Sequence, residues 1–181
     1  MLNLIILYHG SIDCFEEIDV SRGKPFKDFG AGFYTSRDRR HAENLARRNR
    51  EIELLRNKKL GKENKVDAWI YTYELKRDLL ADLSVKQFDG ISKEWILFVV
   101  KNRTNETKQH NYDVVIGPTA NDNTRIVINA FLAGLYGDTQ NDEAVNILLK
   151  MIEADKLPGQ FFFGSNRAAE LLTFKRREKI K

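Results

Sequence analysis

The stretch that constrains the fold most is Leu4-Ile5-Ile6-Leu7-Tyr8-His9-Gly10-Ser11. Its residues 4–8 predict a buried strand that runs into a turn at the glycine. A strand end that opens into a glycine turn lets a ligand approach the backbone closely, which makes His9 a candidate site residue. The alternative is a histidine whose hydrogen bonds are satisfied within the core.

A second informative segment is Gly30-Ala31-Gly32-Phe33-Tyr34-Thr35, at the end of a stretch rich in glycine. Residues 23–32 predict a loop, residues 33–35 a short strand, and residues 36–61 a helix that Gly61 ends. Taken alone, the two glycines indicate only a tight turn, and Tyr34 indicates core packing.

The rest of the chain mixes strands and helices without a repeat or a regular alternation, which favours an α+β fold. The patterns predict strands over residues 68–75, 112–116 and 160–163. They predict helices after Ser92, over residues 126–136 and 144–152, and after Ser165. The length of 181 residues suits a single domain, which we assign to residues 1–174, followed by a basic tail at 175–181.

The formal net charge of +4 is unevenly distributed along the chain. Residues 37–65 hold eleven Lys or Arg and five Asp or Glu, and residues 175–181 add a further +4. These runs indicate either solvated surfaces with a frayed terminus or a footprint for a polyanion such as nucleic acid. With one cysteine and no apolar stretch long enough for a membrane span, we expect a cytoplasmic protein without a membrane partner.

Most common catalytic patterns are absent from the sequence. It contains no metal-ligand cluster, no phosphate-binding loop and no Gly-x-Ser-x-Gly turn, so no metal site is predicted. Cys14 beside Phe15 is expected to fill the core rather than to act as a nucleophile. We expect His41, in the basic helix, and His110, in a polar loop, to face solvent.

In combination, three segments resemble the signature of ADP-ribosyltransferases. They are Leu7-Tyr8-His9-Gly10-Ser11, Gly30-Ala31-Gly32-Phe33-Tyr34-Thr35 before a helix, and Gln160-Phe161-Phe162-Phe163 near the C-terminus. The similarity is greatest to the diphtheria-toxin and poly-ADP-ribose polymerase branch, named for its His, Tyr and Glu motifs. More narrowly, the chain resembles the bacterial DUF3990 family, through Asp28-Phe29-Gly30, residues 94–103 and residues 112–118.

The resemblance implies an ADP-ribosyltransferase-like fold, with two small packed sheets, flanking helices and NAD bound as co-substrate in a cleft between the sheets. It implies that His9 hydrogen-bonds ribose hydroxyls, that Gly10 offers backbone groups to the nicotinamide amide, and that Tyr34 packs on the nicotinamide ring. The same NAD-binding set includes Ser11, Gly32 and Thr35.

The third motif departs from the family pattern, because Gln160 stands where a catalytic Glu is expected. Together with His9 and Tyr34, it forms the predicted catalytic set. An amide can accept a hydrogen bond from a ribose hydroxyl, but it carries no charge and cannot act as a general base. Roles as caps and turns or as cleft residues stay open for Arg103, Asp113, Asn121 and Asp122.

Three functions are compatible with these observations. The first is an NAD-dependent mono-ADP-ribosyltransferase, the toxin of a bacterial toxin–antitoxin or defence pair, with a small antitoxin protein as partner and protein or nucleic acid as acceptor. The second is a catalytically silent module that binds NAD or ADP-ribose, which Gln160 favours. The third is a basic nucleic-acid-binding domain whose likeness to the motifs is accidental.

Overall fold

The apolar residues 4–8 form the first part of a strand in the computed structural model, which describes residues 3–120, 122–152 and 158–181. The strands are β1 (Leu4–Ser11), β2 (Phe33–Ser36), β3 (Ala68–Lys76), β4 (Val85–Gln87), β5 (Val114–Pro118), β6 (Gly159–Phe163) and β7 (Leu172–Ile180). The α-helices are α1 (Arg39–Lys59), α2 (Lys93–Arg103), α3 (Asp122–Leu132), α4 (Asp142–Ile152) and α5 (Asn166–Ala169). Two short 3-10 helices lie at Val20–Arg22 and Arg77–Asp82.

Within the described ranges, the seven strands form one sheet, in the order β4-β5-β6-β2-β1-β3-β7, in which β4 and β5 pair in parallel and the other neighbours are antiparallel. Strands β1 and β3 pair over eight residues, whereas β1 and β2 pair at Tyr8 and Ser36 alone. The α+β class is therefore confirmed, but the prediction of two packed sheets is wrong. A four-strand half and a three-strand half are joined into one sheet through a single residue pair.

Successive residues of a strand point to opposite faces of the sheet, and the core follows this alternation. Phe161 and Phe163 of β6 belong to a cluster on one face that also includes Phe33 and Tyr71. Phe162, between them in sequence, belongs to a cluster with helices α2 and α4 on the other face. We call the first the His9 face, because His9 packs against Phe33 there, and the second the helical face.

Helix α1 crosses the three-strand half of the helical face. It begins after Asp38, whose side chain accepts hydrogen bonds from the backbone N–H groups of Arg40 and His41 and thereby caps the helix. The small side chains of Ala42 and Ala46 are buried against the sheet. Gly10 allows this close approach, since a Cβ at that position would lie 2.0 Å from the carbonyl oxygen of Ala42.

Most of the predicted elements are present, with shifted boundaries. The predicted helix after Ser165 is only the four residues of α5, because Leu172 already belongs to β7. The basic tail predicted at residues 175–181 is instead largely part of β7, in which residues 176–180 pair with β3. Strand β4 was not predicted, since three residues are too few for an alternating pattern. Among the described residues, no helix has the length and apolar character needed to cross a membrane.

The contact of Gly10 with α1 leads to a first prediction. We expect Gly10→Ala to lower the free energy of unfolding by roughly 3 kcal/mol or more, since the added methyl group overlaps backbone rather than a movable side chain. Urea denaturation monitored by circular dichroism measures the change. Gly90→Ala is the matched control, because a Cβ there meets no atom within 4 Å. Equal midpoints for the two variants would contradict this account of the packing.

Candidate functional site

The three predicted motifs lie on three adjacent strands. His9 and Gly10 are on β1, Tyr34 is on β2, and Gln160 is on β6, which pairs with the other edge of β2. The sheet divides between the first two motifs, just beyond the pair of Tyr8 with Ser36. If that antiparallel register is extended, Gly10 lies opposite Tyr34 across the division. Residues far apart in sequence therefore meet at the centre of the sheet.

The imidazole of His9 bridges the two separating strands. Its Nδ1 lies 2.7 Å from the backbone carbonyl oxygen of Tyr34, and the ring stacks on Phe33 with centroids 4.3 Å apart. Desolvation beside Phe33, Phe15 and Tyr71 lowers the pKa of His9 to about 4, so the ring is neutral at pH 7. A carbonyl oxygen only accepts, so Nδ1 carries the proton and Nε2 carries the lone pair.

Among the other residues of the predicted NAD-binding set, Gly10 and Thr35 are buried, whereas Ser11 and Gly32 are half-buried. The side-chain face of Gly10 is covered by α1, and a Cβ on Gly32 would meet the Phe162 ring at 2.3 Å. Ser11 accepts a hydrogen bond from the backbone of Asp13 at 3.0 Å. The hydroxyl of Thr35 is buried without a hydrogen-bond partner among the described residues. Since Gly10 has no side chain, it can offer a ligand only its backbone N–H and carbonyl groups.

Tyr34 points to the helical face, away from the imidazole of His9. Its hydroxyl donates to the carbonyl oxygen of Gly30 at 2.6 Å and accepts from the N–H of Phe29 at 3.0 Å. Its ring contacts the ring of Phe162, with centroids 5.1 Å apart. Burial raises the pKa of Tyr34 well above its ordinary value, so the phenol is neutral. The structure thus joins His9 and Tyr34 through backbone and does not place their side chains in one cavity.

Gln160 lies on the same face as Tyr34 and is 6% exposed. Its amide nitrogen donates to Asp28 Oδ2 at 2.8 Å and to the carbonyl oxygen of Pro118 at 3.2 Å. The same Asp28 Oδ2 accepts from the N–H of Ala120 at 2.9 Å. The amide is therefore held by a buried carboxylate, which a glutamate at this position would repel.

Arg103 supplies the charge that balances Asp28. Its Nε and Nη2 lie 2.7 and 2.6 Å from Asp28 Oδ1, and Nη2 also donates to the carbonyl oxygen of Ala120. Both side chains are largely buried, so the pair is shielded from solvent. We call Asp28, Arg103 and Gln160 the Asp28 cluster. It connects the loop before β2, the end of α2, the segment after β5, and β6.

Asp28 is the site residue that reasoning from single residues missed. An aspartate in a glycine-rich loop is typical of a turn. Only the resemblance of Asp28-Phe29-Gly30 to the family indicated that Asp28 has another role. Asp113 has a structural role, because it accepts from the backbone of Ser84 and from the hydroxyl of Ser165, the cap of α5. Asn121 lies outside the described residues, and Asp122 begins α3.

Three other sequence expectations need correction. His110 does not simply face solvent, since its Nε2 donates to the carbonyl oxygen of Phe29 at 2.9 Å and Nδ1 accepts from the N–H of Tyr112. His41 is half-buried, and desolvation lowers its pKa. Cys14 does not fill the core, because its side chain is an exposed free thiol beside Phe15.

A cleft of about 730 Å³ lies at the opposite end of β1 from His9. Its walls include Ile5, Arg37, Arg77, Phe88, Ile116 and Phe161. The guanidinium of Arg37 lies over the Phe161 ring, 5.2 Å from its centroid. Of the predicted site residues that the structure describes, none lines this cleft, but Phe161 of the third motif does, so the cleft adjoins that motif and lies apart from His9 and Tyr34.

The desolvation of the half-buried His9 leads to a second prediction. An unfolded histidine has a pKa near 6.5, so the unfolded chain takes up protons at a higher pH than folded His9 does. We therefore expect the stability to fall as the pH is lowered from about 6.5 to about 4, with His9 contributing about 3 kcal/mol at most. His9→Gln keeps a donor for Tyr34 but cannot titrate in this range. Urea titrations of both proteins across that range should give a smaller pH slope for the variant, and parallel curves would contradict the lowered pKa of His9.

The Asp28 cluster leads to a third prediction. We expect Gln160→Glu to lower the free energy of unfolding at pH 7 by roughly 3 kcal/mol or more, because it replaces a donor to Asp28 with a second carboxylate. Adding Asp28→Asn should recover part of that loss, which a double-mutant cycle in urea measures. Gln140→Glu, at an exposed position, is the matched control. A Gln160→Glu protein as stable as the unchanged chain would show that the two side chains do not interact.

The comparisons with known proteins give one match. Neither a curated protein nor a solved structure matches the chain. The model of a family described as "Protein of unknown function (DUF3990)" matches residues 5–174, which confirms the narrower resemblance found in the sequence. Because the match spans nearly all of the 181 residues, the chain belongs to the DUF3990 family.

Proposed function

We propose that the chain is an NAD-dependent mono-ADP-ribosyltransferase whose NAD site lies where β1 and β2 separate. The observation that supports this most is the placement of the three motifs on the adjacent strands β6, β2 and β1, with the sheet dividing between the last two. The structure has one sheet rather than two packed sheets, and the point where its halves are joined at one residue pair is where we place the NAD site.

In this proposal His9 acts as a hydrogen-bond acceptor. Its Nδ1 proton is directed to the carbonyl oxygen of Tyr34, so Nε2 can accept from a ribose hydroxyl without a change of protonation at pH 7. Gly10 contributes backbone groups to the nicotinamide amide. The side chain of Tyr34 points to the other face and its hydroxyl is engaged with the loop, so this residue contributes its backbone carbonyl, which orients His9.

The reaction breaks the bond between nicotinamide and C1 of the adjacent ribose, and the bonding electron pair leaves with nicotinamide. The acceptor forms a new bond to the same carbon and releases its proton to water. Gln160 cannot take that proton, because its amide does not ionise and is held by Asp28. Loss of a catalytic carboxylate costs on the order of 2.7–4 kcal/mol of transition-state stabilisation, by analogy with loss of a preorganised donor. An acceptor that needs no base fits this site best.

A second candidate function is an NAD- or ADP-ribose-binding module without transfer activity. The contact of Gln160 with Asp28 favours it, since that contact stabilises the fold whether or not a reaction occurs. The two functions differ in whether nicotinamide is released from bound NAD.

The proposed function leads to a fourth prediction. We expect the purified protein to release nicotinamide from NAD when cell lysate supplies an acceptor, and His9→Phe to lower the rate at least tenfold. The phenyl ring fits among the surrounding aromatic rings but has no acceptor atom to replace Nε2. Chromatographic quantification of nicotinamide measures the rate, and Gln140→Ala, at an exposed site, should leave it unchanged.

NAD binding, measured by calorimetry on the same proteins, separates the outcomes. Binding without release in the presence of lysate supports the silent module and overturns the transferase. Absence of both binding and release overturns both functions. Circular dichroism of His9→Phe checks that a loss of rate comes from the missing acceptor atom rather than from unfolding.

A further inference from the structure

Two rows of cross-strand neighbours connect the first motif to the edge strand β7. The register gives the rows His9–Tyr71–Arg177 and Ser11–Trp69–Lys179 across β1, β3 and β7. Residues directly opposite each other in antiparallel strands share a face, so both rows lie on the His9 face. With strands about 4.8 Å apart, the β7 backbone lies roughly 10 Å from that of β1.

The outer ends of these rows combine an aromatic ring with two cations. The guanidinium of Arg177 lies over the Trp69 ring, 5.3 Å from its centroid, and Lys179 Nζ is 5.9 Å from the same centroid. Both cations are exposed, and the indole is partly exposed. Arg177 also donates to the carbonyl oxygen of Phe15 at 3.3 Å, which holds it beside the aromatic group around His9.

On the His9 face, β7 carries two cations, Arg177 and Lys179, whereas Arg176 and Glu178 point to the other face. Residues 175–181 include five Lys or Arg and one acid, Glu178. Glu178 alternates with Arg177 and Lys179 along β7 and so points to the helical face, where it pairs with Arg39. On the His9 face, Lys179 pairs with Asp67 at 2.7 Å, with both side chains partly exposed. An exposed ion pair of this kind contributes little, so a phosphate can compete for the ammonium.

Charged residues on an edge strand also protect that strand from pairing with other chains. This protection accounts for part of the positive charge of residues 175–181. Edge protection does not explain why an indole lies close to both cations, nor why one of the two rows ends at His9. Cations that bind phosphates next to an aromatic ring on which a base can stack are instead the combination that proteins use for single-stranded nucleic acids.

We infer that the acceptor of the proposed transferase is a single-stranded nucleic acid that lies along β7. Its phosphates contact Arg177 and Lys179, and an unstacked base lies against Trp69 or the guanidinium above it. A nucleotide in this position is within two strands of His9 on the same face. The inference rests on the proposed function and names its acceptor. A pyridine-type ring nitrogen of a base forms the bond to C1 of the ribose with its free electron pair as nicotinamide leaves, and any proton that the cationic adduct loses goes to water, so the step needs no general base.

The test measures binding of a fluorescein-labelled single-stranded RNA of about 12 nucleotides to the full chain by anisotropy, without NAD, at 50 to 200 mM salt. We expect Arg177→Gln combined with Lys179→Gln to weaken binding about tenfold at low salt. The same change should reduce the slope of log affinity against log salt by roughly 1.4, for two phosphate contacts. We expect Trp69→Leu to weaken binding about tenfold with little change in that slope. The control combines Lys101→Gln with Lys150→Gln, two exposed cations on α2 and α4.

Because the assay contains no NAD, its outcome is separate from that of the proposed function. If RNA binding depends on Trp69, Arg177 and Lys179 but no nicotinamide is released, the proposed transferase is overturned, and with it the role of the bound RNA as its acceptor. NAD cleavage with protein as the labelled acceptor and no RNA binding would overturn the inference alone. Equal loss in the β7 variant and the control variant would also overturn it, because the binding would then reflect net charge. Melting temperatures of the variants verify that each protein is folded.

Discussion

A buried carboxylate without partners would cost more free energy than the net stability of a domain of this size. Asp28 meets this constraint with three hydrogen-bond donors, one each from Arg103, Ala120 and Gln160, and with the ion pair that it forms with the Arg103 guanidinium. These donors come from three separate parts of the chain. Satisfying one charge therefore draws the end of α2, the segment after β5, and β6 to the loop before β2. The loop in turn presents the backbone of Phe29 and Gly30 to the hydroxyl of Tyr34.

The division of the sheet follows from how its two halves are packed. The four-strand half is held from the helical face by α2, α4 and the Asp28 cluster, and the three-strand half is held by α1 at Gly10. Strands β1 and β2 share a single residue pair. The side chain of His9 adds a second link between them, because it hydrogen-bonds the backbone carbonyl of Tyr34. His9 can therefore have a structural role through Nδ1, which replaces a hydrogen bond between the strands, and still present Nε2 as an acceptor.

The sequence predicted the elements whose patterns are local. The alternation in β3, the cap and apolar spacing of α2, and the aromatic run of β6 are each visible within a few residues, and all three elements are present. The pairing of residues 176–180 with β3 was not predictable from the pattern of these residues, because an edge strand exposed on much of its surface carries charged residues rather than an alternation of polar and apolar ones. The Asp28 cluster was not predictable either. Its members are separated by up to 132 positions, and only their contact in the fold distinguishes a buried ion pair from a turn residue and a helix cap.

The exposed thiol of Cys14 has a practical consequence. It is the only cysteine in the chain, and it adjoins Phe15, whose ring stacks on Tyr71 and meets the edge of His9. A maleimide dye attached to it would report from one defined position next to the aromatic residues of the first motif. The native sequence thus carries its own labelling position for fluorescence or spin-probe spectroscopy, with no cysteine to remove and none to introduce.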